Sequence, residues 1–234
     1  MELLPMLAKR LKAIKKLVPA GAIVADIGTD HAYIPISLIG EGIVQRAIAC
    51  DVSEGSLQKA LKNVKAYQMS DKILCRRGDG LDVVYKSEAD CIIIAGMGGL
   101  LISQIIDKAY NKLQDELLIL QPMTAVVELR EYLCSHGFWI QDEELVLEEG
   151  TYYHIIATQK GRQEDAYDCV VGSRLVEKKH PLLHDYLAHR VTYLNTLIPQ
   201  MQKSDRACQK AADYQRMIAH YQTILEAMED VHCQ

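Results

Sequence analysis

The sequence predicts a doubly wound α/β sheet followed by a helical appendage, and three observations carry that prediction. Over the first two thirds of the chain, short apolar runs alternate with helix-length segments. The runs at 22–27, 46–51, 72–77, 90–95 and 116–121 read as strands, several of them nearly all apolar, as expected for parallel strands covered on both faces. The first four end in loops carrying aspartate or glycine, at the edge where open α/β sheets bind ligands.

The elements follow in order. Lys9, Arg10, Lys12, Lys15 and Lys16 recur among leucines at helical spacing. The first strand runs into Asp26–Tyr33, DIGTDHAY, and a helix is predicted over 31–40. The second strand ends at Asp51-Val52 and leads to a helix over 54–68. The third ends in Arg77-Gly78-Asp79-Gly80, and the fourth in Ile94-Ala95-Gly96-Met97-Gly98-Gly99 before a helix over 99–111. A fifth strand and a helix over 124–136 complete the crossovers, which are right-handed in parallel sheets.

The rhythm then changes. Trp139–Leu147 and Tyr152–Gln159 are separated too briefly for a crossover helix, so an antiparallel hairpin at the sheet edge is expected. From Pro181 the chain turns helical, with Leu183, Leu187, Val191, Leu194 and Ile198 in one stripe. Pro199 ends or kinks that helix. Ser204 or Asp205 caps a second, striped by Ala207, Ala211, Tyr214, Ile218, Tyr221, Leu225 and Met228. The expected division is 1–160 for the sheet domain and 161–234 for an antiparallel, coiled-coil-like helix pair. That pair serves either packing and dimerisation or the holding of a substrate, and monomer and weak homodimer both stay open.

Composition sets the outer limits. A 234-residue chain that is 49% hydrophobic can bury a substantial core. No uncharged apolar run approaches the roughly 20 residues that span a bilayer, so a soluble, cytoplasmic protein is expected. Seven cysteines without CxxC pairs argue against a disulfide framework and a structural zinc site, and no metal is expected. Cys50 and Cys91 read as core thiols. The net charge of −5 neither excludes nor favours RNA, because the acidic excess gathers at 142–149 while the amino-terminal segment is basic.

The loops carry the chemistry. A dinucleotide site needs a G-x-G-x-x-G turn against the pyrophosphate, and this chain has Gly28 alone in its first loop. A nucleoside cofactor without phosphates fits better, and S-adenosylmethionine is the common one. Gly28 permits close approach of its amino-acid end, Asp51 stands where ribose hydroxyls find an acceptor, and Asp79 can accept from an exocyclic amine.

The stretches LAKRL (Leu7–Leu11), DIGTDHAY, GDGL (Gly78–Leu81), IAGMGG, LILQP (Leu118–Pro122) and LEEG (Leu147–Gly150) resemble, in this order, the bacterial tRNA adenine-N1 methyltransferases of the TrmK type. The resemblance implies a class I, Rossmann-like S-adenosylmethionine-dependent fold and methylation of N1 of adenine at tRNA position 22. It assigns Asp26, Gly28, Asp30 and His31 to the first cofactor loop, Asp51 with Val52 to the ribose, and Gly78, Asp79 and Gly80 to the adenine end. Gly96 and Met97 take the fourth-strand position where amino-methylating relatives carry an acidic or amide side chain, so backbone groups and neighbours are expected to hold the target base. Met123 departs from the asparagine of a relative.

Adenine N1 carries a free lone pair at neutral pH, so positioning rather than a general base should dominate, and the base must leave any pairing partner. The methylated ring is cationic until it loses a proton. Asp30, His31 and Tyr33 are the candidates to stabilise it, with Gln121 as an amide contact; His31 equally suits a helix-start hydrogen bond, and Tyr33 packing. Lys9 and Arg10 are the candidate tRNA contacts, Arg10 foremost through LAKRL. Two other classes stay open: a small-molecule methyltransferase, and a non-catalytic protein that binds cofactor and RNA.

Overall fold

In chain order the first elements are α1 (Lys9–Leu17), β1 (Ile23–Ile27), α2 (Tyr33–Gly40), β2 (Arg46–Asp51), α3 (Glu54–Ala66) and β3 (Ile73–Arg77). They are followed by β4 (Cys91–Gly98), α4 (Gly99–Lys108), β5 (Leu117–Thr124), α5 (Val126–Ser135), β6 (Phe138–Glu148) and β7 (Thr151–Lys160). The computed structural model describes residues 4–163, 166–201 and 205–230, with 205–207 and 230 as backbone alone. The described strands form one sheet in the order β3-β2-β1-β4-β5-β7-β6. The first five are parallel, β7 runs antiparallel to β5, and β6 antiparallel to β7.

The apolar runs become strands because both faces of the sheet are covered. On one face Ala25, Ile48, Ile94 and Leu120 are sealed by Ile102 and Ile106 of α4 and by Leu129 and Leu133 of α5. On the other, Val24, Ala47, Ala49 and Ile93 meet Ile14 of α1, Ile36 and Leu38 of α2, and Val64 of α3. Each fully buried isoleucine or leucine contributes roughly 1.5–3 kcal/mol. Cys50 and Cys91 lie in this core, where burial pushes the pKa of both thiols up to about 12.

The hairpin forms where the periodicity changes. Glu149 and Gly150 join β6 to β7 with φ of 49° and 78°, the left-handed pair that a two-residue turn requires. β4 and β5 run further than the apolar pattern predicts, through Gly98 and Thr124. A register shift around Gly96 lets them keep pairing past glycine and proline.

Two compact units divide the chain, Met1–Cys169 and Val170–Gln234. Residues 161–169 fall with the first, where Tyr167 packs against the sheet core. The second contains α6 (Ser173–Glu177), α7 (Leu183–Leu197) and α8 (Asp205–Asp230). A turn of 3-10 helix over Ile198–Gln200 ends α7 at Pro199. His184, at the start of α7, lies 3.9 Å from Glu229, at the end of α8, so the two helices run antiparallel. Leu183, Leu187, Leu194, Ala211, Ile218 and Tyr221 of the expected stripes are buried. Ser204 and the side chains of Asp205 and Ala207 lie outside the described residues. No described helix is long and apolar enough to cross a membrane.

Gly99 fixes how α4 and α5 start. A Cβ there would strike the Ala125 carbonyl oxygen and lie 2.8 Å from that of Thr124. Backbone cannot yield as a flexible side chain does, so Gly99→Ala is expected to cost about 1–3 kcal/mol in chemical denaturation.

Candidate active site

The carboxyl ends of β1, β2, β3 and β4 bring the predicted loops to one edge of the sheet. After β1 the backbone turns sharply: Gly28, Asp30 and Ala32 have φ of 75°, 44° and 56°. Such strain in residues other than glycine gathers where a ligand must be met. The Gly28 and Thr29 amides donate to the Cys50 carbonyl at 2.8 and 2.9 Å, tying this loop to β2. A Cβ on Gly28 would strike the Met97 methyl, so β4 also closes on the loop.

Two carboxylates anchor the site. Asp26 is buried at the end of β1, and its Oδ2 accepts from the Thr29 hydroxyl at 2.5 Å. Burial raises its pKa from 3.8 to about 6, the Thr29 hydrogen bond opposes the rise, and the charge of Asp51 adds to it. A buried acid held this way favours a cation. Asp51 accepts from the Ser53 amide at 2.8 Å and the Asp30 amide at 3.3 Å, so its carboxylate is aimed between the first two loops. Val52 beside it is exposed.

Around this pair, the Gly78 amide donates to the Asp51 carbonyl at 3.1 Å, and Gly80 turns at φ 53°. Asp79 is exposed and ion-paired with Lys108 at 3.0 Å. Asp30 pairs with Lys59 at 3.1 Å and His31 at 3.3 Å. Burial acts to raise its pKa, but Lys59 and His31 outweigh that and hold it low. His31 and Tyr33 stack at 5.0 Å with planes 12° apart, leaving Tyr33 partly exposed.

Gln121 sits differently from its sequence reading. It is fully buried, its Oε1 accepts the Gly96 amide at 3.1 Å, and its Nε2 donates to the Pro122 carbonyl at 3.0 Å. Both polar ends are committed to backbone groups near the ends of β4 and β5, so the amide holds Gly96 at the bulge in place of a ladder bond. Gln121→Leu would orphan those two groups, at about 1–3 kcal/mol. Denaturant titration measures that loss.

Lys9 and Arg10 also have intramolecular partners. Arg10 pairs with Glu148 at 2.7 Å and lies 5.2 Å from the Tyr153 ring, and the Lys9 amide donates to Glu148. LAKRL and LEEG therefore meet in the fold, docking α1 on the hairpin. Sequence reasoning missed Thr29, Lys59 and Lys108, which act across long separations or through a hydroxyl with many other uses. Two cavities lie away from this edge, one of about 450 Å³ near Ile23, Arg46 and Lys72 and a small one near Leu81 and Tyr85.

Fold and loops together define a class I methyltransferase. A methyltransferase-domain family matches residues 7–156. The tRNA (adenine(22)-N(1))-methyltransferase of Bacillus subtilis (strain 168) is 34% identical over 206 residues, covering 85% of this chain and 87% of the relative. The crystal structure of the B. subtilis tRNA methyltransferase TrmK superposes with a TM-score of 0.85 at 32% identity, covering 94% and 99% of the two chains. A Streptococcus pneumoniae protein solved in complex with S-adenosyl-L-methionine gives 0.84 at 32% identity, covering 94% and 100%. The chain belongs to the tRNA (adenine(22)-N(1))-methyltransferase family.

Proposed function

We propose that this protein methylates N1 of the adenine at position 22 of tRNA, with S-adenosylmethionine as donor. The observation that carries the reading is the buried Asp26 beside the Gly28 turn: a carboxylate with a raised pKa next to a glycine at φ 75° whose backbone can be approached closely suits a cationic amino-acid moiety. When bound, S-adenosylmethionine supplies an electrophilic sulfonium methyl. Asp26 and Gly28 would hold its amino-acid end, Asp51 its ribose, and Gly78, Asp79 and Gly80 its adenine, with Lys108 sharing Asp79.

The nucleophile needs no base, since adenine N1 has its lone pair available at neutral pH. The chain's work is to orient the target ring and exclude water. The His31–Tyr33 stack offers an aromatic face beside the first loop, and Asp30 a negative charge for the ring that becomes cationic. Met97, next to Gly96 in β4, closes on Gly28. N1 lies on the Watson–Crick edge, so the target base is presented unpaired.

A methyl group at N1 blocks base pairing, and primer extension reads it directly. With the purified protein, an unmodified tRNA transcript should give a new stop at position 22, and a transcript with guanine there none. A stop elsewhere would reject the position, and no stop with either transcript would reject the activity.

A further inference from the structure

Cys134, on α5, and Cys169, at the end of the first unit, stand apart from the proposed site. Their sulfurs are 3.9 Å apart, with the Cys169 thiol donating to Cys134. Both are partly buried, unlike Cys50 and Cys91 in the core. Bond formation needs the sulfurs to close to about 2 Å, a movement within reach of side-chain rotation. The backbone around Cys169 is held in place: Arg130 Nη1 donates to the Cys169 carbonyl at 3.3 Å, and Tyr167 donates to Glu143.

We propose that Cys134 and Cys169 are a redox-sensitive thiol pair that small disulfides of the glutathione class oxidise to an intramolecular disulfide.

The two sulfurs already share a hydrogen bond, so whichever thiol ionises has its resolving partner beside it. The thiolate is the nucleophile in exchange. One of the two cysteines, as its thiolate, attacks a sulfur of oxidised glutathione, forming a mixed disulfide and releasing one glutathione thiolate. The other thiol then loses its proton and attacks the protein sulfur of that mixed disulfide, releasing the second. Two protein thiols are oxidised, one small disulfide is reduced to two thiols, and two electrons pass. The product staples residue 169 to α5 across the buried Arg130–Glu143 pair.

The test uses the full chain with Cys208→Ser and Cys233→Ser, the latter position outside the described residues. After treatment with oxidised glutathione, intact mass, peptide mapping and thermal melting are read. The expected product is two hydrogens lighter, carries a 134–169 link, and melts higher by about 5–10 °C. Adding Cys169→Ser should stop the reaction with one glutathione on Cys134. Adding Cys134→Ser should likewise leave no link, with at most one glutathione on Cys169. Glutathione accumulating on the pair without a link would overturn the proposal, as would a link from either cysteine to a different residue.

Discussion

Replacing Asp26 with asparagine is expected to weaken S-adenosylmethionine binding about 100-fold while making the free protein more stable. A hydrogen bond to a charged group contributes about 1.5–3 kcal/mol, which sets the affinity loss. The stability gain has the opposite origin. Burial raises the Asp26 carboxyl from 3.8 to about 6, so the folded state holds its proton more tightly than the unfolded chain. Folding stability therefore falls as pH rises from about 4 to 6, and the full cost, about 3 kcal/mol, is present above that window. Asparagine removes it: the variant should be more stable at about pH 8 and nearly equal at about pH 4. In the wild type, cofactor affinity should drop as pH falls through about 6; in the variant this dependence should vanish. Calorimetry and denaturant titration at the same pH values check both, and unchanged affinity would remove Asp26 from the site.

The second large effect lies in the sheet's other half. Arg130 is fully buried; its Nε donates to Glu143 at 2.7 Å, and Nη2 lies 3.1 Å from His154 Nδ1. Glu143 also accepts from Tyr167. Arg130→Met leaves the Glu143 carboxylate buried without its cation and should cost about 3–5 kcal/mol. The double variant Arg130→Met, Glu143→Leu should recover much of that, because removing both charges also removes their desolvation. Denaturant titration of the single and double variants measures the coupling; additive losses would contradict it.

The parallel strands were legible because burial on both faces leaves a nearly unbroken apolar run, and the hairpin because 148–151 leave no room for a crossover. The strand-end aspartates and glycines were legible from their order along the chain. Less visible were the far ends of β4 and β5, since glycine and proline read as strand breakers until the bulge at Gly96 is seen. Arg130 and Glu143 look like surface charges on amphipathic elements, and only the packed fold places them inside. Arg10 reads as an RNA contact in a basic segment, but Glu148, distant in sequence, pairs with it in the fold. Gln121 reads as a base contact because it ends a strand at the site, yet its burial turns the amide inward.

The most direct measurement is transfer of labelled methyl from S-adenosylmethionine to unmodified bacterial tRNA, followed by nucleoside analysis, for the wild type and Asp26→Asn. N1-methyladenosine is expected with the wild type, and its near loss with the variant. Label in any other nucleoside, or cofactor binding without methylated tRNA, would contradict it.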